Sequence, residues 1–413
     1  MKKSFSRLRA AGEGGLSILS SFVAVIAGLL VGLIILLITD SVQAWPAFVS
    51  ILTLGFQSSR NFGEVLYFAT PIILTGLSVG FAYKTGLFNI GASGQFTFGA
   101  FVAILIGTEA VFLPPPIRVV ASLTGAIIAG GLWAAIPGLL KAYRNVHEVI
   151  SCIMCNWIGI FIVNYLILNT NYDADRNSSS RIPVDSNMPS WGLDTFFQGD
   201  ALRPSSANSG IIVAILTAIV LYIILEKTKF GYELKACGFN KDSAKYAGIN
   251  EKRNVIFSMM IAGGLAGLGG ALYFLSGAGV TMNVKNILAA EGFTGISVAL
   301  LGLSSPIGII FAGILIAYLH YGGFQMQLFG FVPEIIEIVT SVIIYFCAFV
   351  LLVKMFFTHL FVKHKDEAED AEEDPPPDEE PDEKPDEEPE PDKPPDPPDN
   401  NELPITESPE RSE

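Results

Sequence analysis

An all-α, polytopic membrane protein is the fold class this sequence predicts, and three observations predict it. Hydrophobic residues make up 51% of the chain and charged residues only 16%, with a mean hydropathy of +0.48. That balance exceeds what a soluble domain carries. The apolar residues gather into about ten runs, most near the ~20 residues a helix needs to cross a bilayer. The Lys and Arg residues between the runs then fall on alternate sides, the asymmetry that orients membrane helices.

The ten expected spans are 16–38, 64–82, 88–107, 117–139, 146–168, 211–225, 255–275, 287–302, 306–323 and 333–353. With residues 1–15 inside and the spans alternating, 17 of the 23 Lys and Arg residues before position 366 lie inside. Six, Arg60, Arg118, Arg176, Arg181, Arg203 and Lys285, lie outside. Both termini are therefore expected in the cytoplasm. The net charge of −14 obscures this bias. Residues 366–413 hold 23 acidic and 3 basic side chains, a net of −20, which leaves +6 on residues 1–365.

The first run, Leu16 to Ile38, is too long for a signal-peptide core and no small-residue cleavage site follows it. It reads as an uncleaved first span. The second and third runs bracket Leu77 to Phe101, an apolar stretch that carries Asn89 and Gln95 among Gly86, Gly91, Gly94 and Gly99. A polar side chain at bilayer depth faces a partner helix or a water-filled path. Glycines let backbones approach closely and weaken a helix where it must bend. The two amides either bond across to another helix or face a cargo; spacing alone leaves both open.

In the fifth run, Cys152 and Cys155 form a C-x-x-C inside an apolar segment. Zinc or redox chemistry needs further ligands or an exposed thiolate, so all four cysteines, with Cys237 and Cys347, read as small buried side chains. Glu148 opens the same run beside His147 and near Arg144, as an interfacial ion pair or gate. Residues 169–210 form the longest outside loop, rich in Asn, Ser, Asp and Pro, and read equally as a lid or docking surface and as a solvated loop. The sixth and eighth runs are short. They either extend into their flanks or are half-helices of the kind that line transport pathways. Glu291, Glu334 and Glu337 read as side chains snorkelling to the outer interface.

The inside loop 226–254 is basic. Asn240 can cap a helix that starts at Lys241, with Asp242 in its first turn and Gly248 as its stop. A short amphipathic helix on a membrane loop suits a groove on a cytosolic partner. From about residue 366 the chain is acidic and holds 13 of the 24 prolines. It buries too little apolar surface to fold, and is expected to be a disordered cytoplasmic extension of residues 354–413.

Several chemistries are absent from the sequence. No G-x-x-x-x-G-K-[ST] occurs, so no phosphate-cradling loop is encoded. Neither a catalytic triad nor a metal-ligand set is apparent. His147, His320, His359 and His364 are scattered, and the basic residues sit on membrane loops, which is unlike a nucleic-acid-binding face.

Gly86 to Gly91 with Gly94-Gln95, His147 to Asn156, Asn240 to Ile249, Gly263 to Ala271 and Gly292 to Gly302 together resemble segments of the permease subunits of bacterial ABC importers for nucleosides, within the wider branched-chain amino acid, ribose and simple-sugar permease family. Gly86-Leu87-Phe88-Asn89-Ile90-Gly91, with Gly94-Gln95 following, is similar to that family's signature. His147-Glu148-Val149-Ile150-Ser151 with Met154 and Asn156 resembles its Asn-Glu-Val-Ile-Ser segment, with His147 replacing Asn. Asn240 to Ile249 resembles its coupling segment, with Asp242-Ser243-Ala244 where the family shows Glu-Ala-Ala. Gly263 to Ala271 and Gly292 to Gly302 resemble its Gly-rich helix and its Gly-Phe-x-Gly-Ile stretch. The likeness covers roughly residues 64–350.

The resemblance implies the ABC importer permease fold in a bacterial cytoplasmic membrane. It implies nucleoside uptake, a second permease subunit (homo- or heterodimer), cytosolic ABC ATPase subunits that carry ATP and Mg, and an external substrate-binding lipoprotein. This chain itself would bind no cofactor and catalyse no reaction. Phe88, Asn89, Gln95, Asn156, Trp157 and Phe293 are the expected substrate path, since amides donate and accept while aromatics stack. Asn240, Asp242, Ala244, Tyr246 and Gly248 are the expected ATPase-coupling residues. Ribose or another simple sugar is the alternative cargo, and an ion-coupled secondary transporter is the alternative class.

Overall fold

The computed structural model describes residues 2–198 and 204–350, with 352, 353 and 355, and side chains from Leu19 onward. The expectations for the acidic tail and for the Cys347 side chain lie outside the described residues. The helices in order are α1 (Lys2–Thr39), α2 (Ala44–Gln57), α3 (Ser59–Lys84), α4 (Ala92–Glu109), α5 (Pro115–Arg144), α6 (Glu148–Thr170), α7 (Leu193–Phe196), α8 (Gly210–Lys227), α9 (Lys229–Phe239), α10 (Lys241–Tyr246), α11 (Glu251–Phe274), α12 (Ala290–Leu301), α13 (Pro306–Gln325) and α14 (Pro333–Ala348). Among the described residues, seven helices are long and apolar enough to cross a membrane: α1 from Leu19, α3, α5, α6, α8, α11, and α13 with its continuation to Phe329. The other three expected runs coincide with α4, α12 and α14. The apolar α2 was not expected. At 14 residues it is too short to register as a crossing.

The two short runs resolve differently. The 211–225 run extends at both ends into the 18 residues of α8. The 287–302 run holds only the 12 residues of α12, about 18 Å of helix, roughly half a crossing.

Local sequence explains the helix ends. Ser58 caps α3 by accepting from Arg60 N, His147 caps α6 through Nδ1, and Asn250 caps α11 by accepting from Arg253 N. Each satisfies a donor that the first turn leaves free. Pro115 and Pro306 open α5 and α13 at first-turn positions, where a missing N–H costs nothing. Asn145 ends α5 in the left-handed conformation.

Helices α3 and α11 form the centre, since 89% and 78% of their spans are buried, against 22% for Leu19–Thr39. Glycine brings their neighbours close. A Cβ on Gly267 would meet the backbone of Ala126 and Gly130 on α5, and one on Gly99 of α4 would meet the backbone of Gly267. Small residues of this kind give membrane helices their van der Waals contact, because lipid supplies no hydrophobic drive between them.

Contacts define two ends of the bundle. At the loop end, Gly63, Gly107 and Ser276 meet the segment 171–209. That segment is folded where described. β1 (Tyr172–Asp173) pairs antiparallel with β2 (Ser178–Ser179), and Ser178, Ser179 and Ser186 are buried. At the opposite, basic end, Gly86 touches Gly238 and Thr85 bonds Ser258. Lys141 pairs there with Glu148 at 2.8 Å, so the partner of Glu148 is Lys141 rather than the neighbouring Arg144.

Gly267→Val should lower the detergent melting temperature and the monodisperse yield, since overpacking of this kind costs about 1–3 kcal/mol. An unchanged melt would show that the α5–α11 contact carries little of the stability.

Candidate functional site

Between α3 and α4 the chain breaks from helix and turns back, since Gly63 on α3 and Gly107 on α4 both meet the 171–209 segment at the loop end. Residues 85–91 leave the helical path, Gly86 adopts φ +74°, and Leu87 N returns to Ala82 O. Asn89 and Gln95 sit on either side of the start of α4 and exchange two hydrogen bonds. Asn89 Nδ2 donates to Gln95 Oε1 at 2.7 Å, and Gln95 Nε2 donates to Asn89 Oδ1 at 2.9 Å. Asn89 Nδ2 also donates to Ser78 Oγ at 3.0 Å, and Ser78 Oγ donates to Ala262 O on α11 at 2.6 Å. Cys152 Sγ lies 4.0 Å from Asn89 Oδ1.

Asn156 of α6 completes the arrangement. Its Oδ1 accepts from Gly94 N at 2.9 Å and its Nδ2 donates to Ile90 O at 3.0 Å. One side chain thus satisfies a donor and an acceptor that the break leaves free. Asn89, Gln95 and Asn156 are all essentially unexposed. Their hydrogen-bonding groups are spent on one another, on the Ser78 hydroxyl and on backbone.

The six residues expected on a path therefore divide. Asn89, Gln95 and Asn156 gather at the break. Phe88 is half-buried there, against Val79, Ala92, Ala266 and Ala299. Trp157 and Phe293 lie apart on the chain's surface, 43% and 41% exposed, with Trp157 6.3 Å from Phe161.

A second non-helical segment reaches the same place. From the loop end, residues 276–289 descend without helix. Their polar groups are met as they go. Ser179 N donates to Met282 O, Val284 N to Asn177 O, and Asn164 Nδ2 to both Lys285 O and Asn286 Oδ1. Finally Ser93 Oγ donates to Ala289 O at 2.9 Å. Then α12 begins, with Gly292 against Ser93 and Gly295 against the backbone of Thr75. Thr75 lies sixteen residues from the start of α3 and nine from its end, so about 24 and 14 Å along its axis.

That depth corrects the reading of Glu291 as a snorkelling side chain. The coil, rather than α12, reaches the loop end, and Glu291 stands one turn from Gly295, deep in the bundle. It is partly exposed, and its carboxylate faces its own backbone N–H, with no ion pair among the described residues. It lies within electrostatic reach of Tyr67 and Tyr273, whose rings stack at 6.0 Å.

The expected coupling residues form one surface feature. Asn240 Oδ1 accepts from Ser243 N at 3.0 Å and starts α10; Asp242 lies in its first turn. Gly248 ends it at φ +78°, with Ile249 N returning to Ala244 O. Ala244 is buried, whereas Tyr246 is 94% exposed. Phe239, at the end of the unexpected α9, is 91% exposed. Just before it, a Cβ on Gly238 would stand 2.7 Å from Gly86 N and Thr85 C. The loop therefore rests directly on the break.

Sequence reasoning missed Ser78, Ser93, Asn164 and Phe239. Asn164 carried a readable signal, as an amide inside an apolar run. The two serines carried none, because serine is unremarkable in a membrane helix.

Replacing Asn89 or Gln95 alone with Leu should cost about 1–3 kcal/mol, by stranding a buried amide. The N89L/Q95L double change should cost less than the sum of the two. Melting of the three variants in detergent reads this; strict additivity would mean the amides do not support each other.

The comparisons with known proteins agree with one another. The family described as the permease component of branched-chain amino acid transport systems matches residues 61–348. The guanosine ABC transporter permease protein NupP of Bacillus subtilis is 38% identical over 340 residues, 80% of this chain and 93% of that protein. The nucleoside ABC transporter permease protein NupB of Lactococcus lactis is 36% identical over 80% of this chain and 90% of its own. The glucose ABC transporter permease protein TsgB13 of Haloferax volcanii is 32% identical over 78% and 84%. No solved structure matches the chain.

Proposed function

The chain belongs to the branched-chain amino acid transport-system permease family, and from that premise we propose that it forms the membrane path of an ATP-driven importer whose cargo is nucleosides. The contact of Gly238 with Gly86 carries the reading. It gives a surface helix on the basic loop a direct mechanical hold on the turn that joins the central helix α3 to α4.

In this reading the basic end faces the cytoplasm, ten spans cross the bilayer, and both termini are inside. Separate ATPase subunits bind ATP and Mg and grip α10, with Tyr246 and Phe239 as exposed aromatic anchors. Closure of those subunits pushes α9, and Gly238 passes the push to residues 85–91. Asn89, Gln95 and Asn156 hold the broken wall in shape, Phe88 stands on that wall, and Trp157 and Phe293 face outward toward a second permease subunit or the cargo. An external binding lipoprotein delivers the nucleoside to the loop end. The identity with the guanosine and nucleoside relatives exceeds that with the glucose relative, which supports nucleosides over sugars.

Glu291 suits this cargo. A carboxylate only accepts, and a ribose offers two vicinal hydroxyl donors. An intramembrane carboxylate without an ion-pair partner is a functional site by default.

Proteoliposomes that hold this chain with its permease and ATPase partners should take up nucleoside only with ATP. Gly238→Val should leave ATPase subunits bound and hydrolysing but cut uptake at least tenfold. Uptake by this chain alone on an ion gradient would overturn the importer reading, and full uptake by the Val variant would overturn the mechanical link. Glu291→Gln should raise the KM for ribonucleosides about tenfold with little change for 2′-deoxynucleosides. An equal effect on both would remove the ribose contact.

A further inference from the structure

The basic end carries a second feature that transport does not use. Helix α5 covers most of α11, with Ile127, Gly130 and Gly131 against Gly264, Gly263 and Met260. The first two turns of α11 lie at the edge of that cover, where Gly138 meets Ile256 and Tyr143 lies beside Lys252. There Lys252, Arg253 and Phe257 are exposed, beside the last turn of α5. Between the two helices lies a notch of about 310 Å³, lined by Tyr143, Asn250, Lys252, Arg253, Ile256 and Phe257.

The notch has a charged rim and an apolar floor. Lys252 Nζ lies 5.3 Å from the centre of the Tyr143 ring, and the Arg253 guanidinium lies 5.4 Å from that of Phe257. Among the described residues neither cation has an ion pair or a side-chain hydrogen bond. Lys141 and Lys235, at the same end of the bundle, are both paired, with Glu148 and Glu226. No carboxylate lines the notch. Glu251 is the one acid in the first turn of α11, and Arg144, exposed next to Tyr143, offsets it.

Depth decides what fits. Tyr143 precedes the last residue of α5 and Lys252 follows the first residue of α11, so the rim sits where both helices leave the bilayer. Tyrosine and cations cluster at that level. Below it, Ile256 and Phe257 continue the floor inward. On α5, Leu140, Leu139, Ile136 and Leu132 are exposed in the same direction of travel, which gives an apolar track for a chain of methylenes.

We propose that this notch binds an anionic phospholipid. Its phosphate sits between Lys252 and Arg253, and an acyl chain runs down past Phe257 along α5. Basic pockets between membrane helices hold anionic headgroups in this way. A free phosphate has no use for the apolar floor. A protein partner would meet Tyr246 and Phe239 on the projecting loop before it met a notch at the membrane surface.

The test uses the full-length chain in detergent with native mass spectrometry. The probes are phosphatidylglycerol, phosphatidylcholine with the same acyl chains, and inorganic phosphate. The wild type should retain phosphatidylglycerol at least about thirtyfold better than phosphatidylcholine and should retain no phosphate. The K252Q/R253Q variant should lose that preference by about thirtyfold, roughly fivefold for each of two cations facing an anionic lipid. The control K227Q/K229Q, at the same end but away from the notch, should keep it. Both variants alter exposed side chains, and their melting temperatures without lipid should match the wild type.

Four results would overturn the proposal: equal retention of the two lipids, an equal loss in the control, binding of phosphate alone, or loss of ATPase-subunit capture by K252Q/R253Q with lipid binding intact. Lipid retention is read without transport, so its failure is distinct from a failure of the importer reading.

Discussion

Backbone that leaves the helix inside a bilayer has no water to bond to, so each freed N–H and C=O must find a protein partner. Among the described residues, segments 85–91 and 276–289 leave the helix at depth, and they meet where Ser93 touches Ala289 and Gly292. Side chains distant in sequence satisfy them. Asn156 takes both Ile90 O and Gly94 N, and Asn164 takes Lys285 O. The reciprocal amide pair of Asn89 and Gln95 then fixes the angle at which α4 departs from α3.

In the mechanism proposed above, the turn at 85–91 is the moving part. A continuous helix transmits a push along its whole length. A turn of seven non-helical residues between two antiparallel helices can flex, provided that its hydrogen bonds exchange partners rather than vanish. Gly238 stands against Gly86 with no side chain between them, so a displacement of α9 arrives at the break with little slack. The glycines are required at this point because any Cβ would hold the two backbones apart.

Much of the fold was legible from residues alone. Every expected apolar run coincides with a helix, and α10 begins at the capping Asn240 and stops at Gly248. Those features are local: run length, capping and a positive φ are written in adjacent residues. Three things were not legible. Helix α2 is too short to register as a crossing. Glu291 looked peripheral because it stands near the start of a short run whose extent the sequence left open. The amides of Asn89 and Gln95 looked equally able to face a cargo or each other, since six residues of separation in a straight helix would not pair them. They pair because α4 starts only at Ala92, which leaves Asn89 in the turn before it.

The sequence by itself determined that this is a membrane protein of many apolar helices in the permease family, because hydropathy and motif identity are sums over neighbours in the chain. Only the tertiary structure decided that 276–289 descends as coil, that α12 is a half-helix, and that Asn156, Ser78 and Gly238 converge on the break. Those outcomes depend on which hydrogen-bond partner lies within about 3 Å. The partners come from 11 to 184 positions away in the chain, a distance that no local pattern spans.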